Sequence, residues 1–177
     1  MKTSLVRSTF VGILMLGLTM PGVASAGFFG WGCSFQGTWF GVTSPEDTTL
    51  TGWVVTVTGK SHFRGTNNLE YPTFDATLAG TFPDADRIST LRGAWMRTGF
   101  NTFAYTMTGI AVATDGITPV WIGKLNGNIT LSADCRSEEI TATLEVFAPT
   151  ASPFDGEPLF PIALPTHYGY RAYVDLP

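Results

Sequence analysis

The chain has 177 residues, ten basic and fourteen acidic, and its formal charge of −4 is spread without basic clusters. Lys and Arg so few and scattered form no stripe that could track phosphates, which excludes nucleic acid as a partner. With 44% hydrophobic and 14% charged residues, the composition also excludes a disordered chain.

Lys2 and Arg7 precede an apolar run from Phe10 to Met20, which Pro21 and Gly22 break before "VASA" ends at Ala26. A positive start, an apolar middle and small residues at a cut site are the order of an export signal. The run is about half of the ~20 residues that span a bilayer. Residues 1–26 are therefore expected to be removed, giving a secreted or periplasmic chain that does not span a membrane as a helix. A lipoprotein would need a Cys directly after the run, whereas Cys33 lies behind Trp31 and Gly32. Without Lys2 and Arg7 the mature chain, 27–177, carries eight basic residues against fourteen acidic ones. Its length suits one domain. Cys33 and Cys135 are an even pair in an oxidising compartment, so one disulfide is expected. A metal or redox pair of free thiols is the alternative, and no Cys-x-x-Cys spacing supports it.

After residue 27, alternation replaces helical periodicity. The expected strands are 34–42, 52–59, 73–82, 90–98, 101–112, 119–126 (running on into 127–132), 139–147 and 168–175. Within 101–112, Phe103, Tyr105 and Met107 share one face while Thr102, Thr106 and Thr108 share the other. In 139–147, Ile140, Ala142, Leu144 and Val146 alternate with Thr141, Thr143 and Glu145. Turn signals at 44–47, 115–116 and 133–138 punctuate the series. About eight short strands at this spacing predict an all-β, antiparallel closed barrel, Greek-key or up-and-down. The segment 148–166 carries five prolines and is expected to be a long surface loop.

"GTW" at 37–39 stands on the first expected strand, with Phe35, Gly37, Trp39 and Gly41 on one face. A ring beside missing side chains suits the plug of one barrel end. This frame resembles the Gly-x-Trp signature of lipocalins and the wider calycin barrels. The resemblance covers this short motif and the strand count. It implies a barrel floor of Gly37, Trp39 and Arg171, the arginine from "GYRAY" lying over the indole. The family's later Thr-Asp-Tyr-type turn and its C-terminal helix have no counterpart. A second frame, Leu91, Gly93, Trp95, has the same parity, and another core Trp explains it more simply than duplication.

Interior candidates are Phe35, Trp39, Trp53, Phe74, Trp95, Phe103, Tyr105, Met107, Leu131, Leu144 and Val146. Trp53 is the least secure, since Val54 beside it competes for the interior. Among them Trp95, Phe103, Tyr105, Met107, Leu131 and Leu144 are the expected contacts of a small hydrophobic ligand, since aromatics and Met make adaptable apolar pockets. The first functional expectation is thus a carrier of such a molecule, without metal or cofactor. The second is a non-catalytic structural or interaction protein with a filled barrel, docking through 148–166 or "GFFGW" at 27–31. A barrel isomerase or cyclase using Tyr105, His62 or Glu70 is a lesser reading. An outer-membrane barrel is disfavoured because Thr102, Thr106 and Thr108 make the outer face too polar. His62 and His167, and the pairs Asp84 with Asp86 and Glu138 with Glu139, are read as solvated groups. "NIT" at 128–130 matches a glycosylation sequon inside an expected strand and carries no weight.

Overall fold

The computed structural model describes residues 32–44, 46, 49–70 and 84–172. The export signal, the 27–31 segment, the expected 73–82 strand with Phe74, and the end of the 168–175 strand lie outside the described residues. The described residues hold strands and no helix. They are β1 (Gly37–Val42), β2 (Leu50–Gly59), β3 (Arg64–Glu70), β4 (Arg87–Ile88), β5 (Leu91–Arg97), β6 (Thr102–Val112), β7 (Pro119–Leu131), β8 (Ser137–Phe147), β9 (Phe160–Ala163) and β10 (His167–Arg171).

Antiparallel pairing runs β1–β2–β3–β5–β6–β7–β8 and then returns through β10 to β1, closing an eight-stranded barrel. Two positions of the ring are interrupted strands. Ile88 faces Ala111 but Arg92 faces Thr108, so four steps along β4–β5 match three on β6. Ala163 faces Thr143 but His167 faces Ile140, the same mismatch along β9–β10 against β8. Such bulges bend a strand and increase its twist, which helps a sheet to close.

The expected 148–166 loop therefore ends inside the sheet. Phe160–Ala163 pairs with β8, and Pro161 is tolerated because proline is accepted at edges and irregularities. The strand 64–70 was missed for a different reason. "RGTNNLE" has one strongly apolar residue, and its pairing with β2 on one side and β5 on the other supplies what its composition lacks.

Every expected interior residue that the structure describes is buried, Trp53 included. The core is densest at one end, where Gly32–Gln36 passes beneath the strands before β1 begins. Phe35 lies at its centre, with ring centroids 5.0 Å from Phe103, 5.5 Å from Trp95 and 6.0 Å from Trp39. These distances are those of favourable stacked and edge-to-face pairs. Trp39 Nε1 donates to the Phe35 carbonyl at 3.0 Å. The Cys33 N–H donates to Asn101 Oδ1 at 2.8 Å, and Cys33 and Cys135 form the expected disulfide.

Two arginines brace this segment. Arg171 lies 4.7 Å above the Trp39 ring and donates to the carbonyls of Ser34 and Gln36. Arg97 lies 4.6 Å above Phe103 and donates to the carbonyls of Cys33 and Phe100. The two Gly-x-Trp frames are thus alike in sequence and different in cause. Gly37 has φ +143°, a region that side chains rarely adopt, and a Cβ there would meet Arg171 Nε at 3.2 Å. Gly93 instead allows close approach of β6, since its Cβ would fall 1.8 Å from the Thr106 carbonyl oxygen.

Arg171→Ala should cost about 2–3 kcal/mol, through one cation–π contact and two charge-assisted hydrogen bonds, and should shift tryptophan emission. An unchanged spectrum and melting temperature would show that the floor does not depend on it. Alkylation without reductant should leave Cys33 and Cys135 unlabelled, and replacing both by Ser should cost up to about 4–5 kcal/mol.

Candidate functional site

Above the aromatic floor the barrel axis holds a cavity of about 40 Å³. Phe35, Trp53 and Tyr105 turn rings towards it, and Val55, Leu69, Met107, Leu125, Ile129 and Ile140 supply apolar wall. Leu164 and His167, which flank the break between β9 and β10, complete one side.

Two polar residues line the same space. Asn67 is 1% exposed and Glu138 is 2% exposed. Asn67 Oδ1 and both carboxyl oxygens of Glu138 lack a hydrogen-bond partner among the described residues. Leaving a buried polar group unsatisfied costs ~1–3 kcal/mol, which is why such groups are rare in native proteins. Glu138 was expected to be a solvated turn acid, and that reading is wrong. The turn ends at Arg136, and β8 begins one residue before Glu138. The parity that turns Ile140, Ala142 and Leu144 inward then carries Glu138 inward too. Asp84, Asp86 and Glu139 are exposed.

Small neighbours make room for this carboxyl. Gly169 pairs with Glu138 on one side and Gly41 on the other. A Cβ at Gly169 would lie 2.4 Å from Glu138 Oε1, and one at Gly41 would lie 2.3 Å from Trp53 Nε1. Two bare backbone positions thus let a carboxyl and an indole lie flat against the wall. Burial raises the Glu138 pKa from an ordinary 4.5 to about 8, although the Arg171 charge pulls in the other direction. Loss of solvation outweighs that attraction, and the guanidinium makes its hydrogen bonds to the Ser34 and Gln36 carbonyls and none to the carboxyl.

Of the ligand contacts expected from sequence, Tyr105 and Met107 line the cavity. Trp95 and Phe103 belong to the aromatic floor, and Leu131 and Leu144 are buried in the core, Leu144 at the level of Leu125 and away from that floor. Trp95 Nε1 donates to the Thr58 carbonyl at 3.0 Å, which ties it to β2. Of the three residues considered for a barrel enzyme, His62 and Glu70 are exposed and Tyr105 lines the cavity. His167, expected in solvent, is half-buried at the cavity wall. No group of three His, Cys, Asp or Glu able to hold a metal occurs among the described residues.

An acid whose pKa is raised by folding contributes most to stability below its unfolded pKa and loses that contribution as pH rises to the folded value. For Glu138 this window runs from 4.5 to about 8. Glu138→Gln, neutral throughout, should melt above the parent protein at pH 8 and close to it at pH 4. Parallel differences at both pH values would show that the carboxyl is not buried in its neutral form. No protein-family model, curated protein or solved structure matches this chain.

Proposed function

We propose that the chain is an exported, lipocalin-like barrel that binds a compact, mainly apolar molecule on its axis. The observation that carries this reading is the meeting of Asn67 Oδ1 and the Glu138 carboxyl, both buried and unpartnered, at one apolar cavity. A core evolved for stability alone gains nothing from two such groups, whereas a binding site needs a few placed polar atoms to orient its ligand. Arg171 over Trp39 supports the likeness to lipocalins, and the disulfide supports an oxidising compartment.

Size narrows the ligand. A cavity of about 40 Å³ is far below the ~300–1,000 Å³ of pockets for drug-sized molecules. It has room for about three waters at ~10–15 Å³ each, so a long acyl chain does not fit. The same small volume favours a second reading, a filled barrel that acts through its surface as a structural or interaction protein.

Native mass spectrometry of protein purified from its own host separates the two. The binding reading expects a small retained mass that unfolding releases. Repeated preparations of clean apoprotein would favour the filled barrel. Saturable uptake of a fluorescent fatty-acid analogue, with quenching of Trp53, would overturn the size limit.

A further inference from the structure

We infer that the axial cavity is a site for a small primary ammonium ion, with Glu138 as its counter-charge and Asn67 Oδ1 as a second acceptor; this rests on the binding reading above.

Three observations lead there. First, Asn67 Oδ1 and the two Glu138 oxygens are the unpartnered atoms at the cavity, and all three are acceptors once the carboxyl has given up its proton. A ligand that completes them must bring several N–H or O–H donors on a small body, and a primary ammonium carries three. Second, both Glu138 oxygens lack a hydrogen-bond partner among the described residues, and the ion pair of Lys124 with Glu145 lies elsewhere on the barrel. Arg171 is the charged group that acts on Glu138, and its guanidinium is directed at backbone carbonyls and the Trp39 face. His167 is the other titratable group on that wall besides Tyr105. The carboxyl is therefore buried with only the Arg171 charge acting on it and no cation hydrogen-bonded to it, an arrangement that a guest cation able to donate directly to its oxygens completes. Third, Phe35, Trp53 and Tyr105 share the cavity, and aromatic faces attract ammonium groups. Water can satisfy the acceptors, but it brings no charge.

Binding has a proton balance. At neutral pH Glu138 is held as the carboxylic acid by burial. When R–NH3⁺ enters, the carboxyl O–H proton leaves to solvent, and a carboxylate–ammonium pair with N–H···O bonds replaces it. Covalent bonds of the ligand are unchanged.

The test is titration of the mature, oxidised protein with ethylammonium chloride, ethanol and potassium chloride at pH 7. Tryptophan emission, to which Trp53 at the cavity contributes, reports occupancy, and calorimetry in two buffers of different ionisation enthalpy reports proton release. The expected result is saturable ethylammonium binding with release of close to one proton. Affinity should fall about 10- to 100-fold in Glu138→Gln, as for loss of a charge-assisted bond. Asn67→Leu, which keeps the charge, should weaken binding less and retain proton release, and it serves as the probe if Glu138→Gln does not fold. Binding of ethanol without ethylammonium would overturn the cation assignment and leave the cavity reading intact. Potassium binding as tightly as ethylammonium would also overturn it, since a bare charge would then suffice. If none of the three bound, both the assignment and the cavity reading would fall.

Discussion

Two guanidinium groups, neither ion-paired with a carboxylate among the described residues, hold the segment Gly32–Gln36 across one end of the barrel. Arg171 reaches it from the end of β10 and Arg97 from the end of β5. Each covers an aromatic face with the same guanidinium that donates to carbonyls of this irregular stretch. The carbonyls need those donors, because a segment outside the ladders and under the barrel would otherwise bury unsatisfied acceptors. With the segment in place, Phe35 joins Trp39, Trp95 and Phe103 into one packed floor. The disulfide fixes the start of this segment to the β7–β8 turn, where Cys135 adopts φ 63°.

The floor also sets the conditions for the cavity above it. Phe35 is shared by both, so the packed floor forms the base of the cavity. Over this base the wall thins at Gly41 and Gly169, and Glu138 and Trp53 occupy the space their missing side chains leave. Arg171 contributes to both levels, clamping the floor while its charge reaches Glu138. On the proposed binding reading, stability and binding are coupled through that residue. The buried carboxyl lowers stability near neutral pH, and a guest that compensates it would return that stability by mass action.

How the sequence relates to the fold differs from element to element. The pattern of β6 was legible because Phe103, Tyr105 and Met107 alternate with threonines in one register along eleven residues. β3 was not, since Arg64–Glu70 has Leu69 as its one strongly apolar residue and becomes a strand only where β2 and β5 flank it. β9 hid behind prolines that usually exclude a strand. In the site, the signal for Glu138 was present in the parity of β8 and was overridden by its position after a turn. Asn67 gave no signal, because an inward Asn beside Leu69 has no pattern that separates it from a loop. Arg97 likewise had no motif to mark it as the second brace.

The amino-acid order by itself determined which strands alternate and which way their large residues point, and the cysteine count marked the one possible disulfide. These are local properties, set by the two-residue period of an extended chain and by redox chemistry. Only the tertiary structure decided that the sheet closes through β10, that Gly32–Gln36 crosses its end, and that Asn67 and Glu138 meet at a cavity of about 40 Å³. Those outcomes depend on cross-strand register and on bulges that shift it by a residue. Such features arise between segments distant in the chain, where no local periodicity carries information.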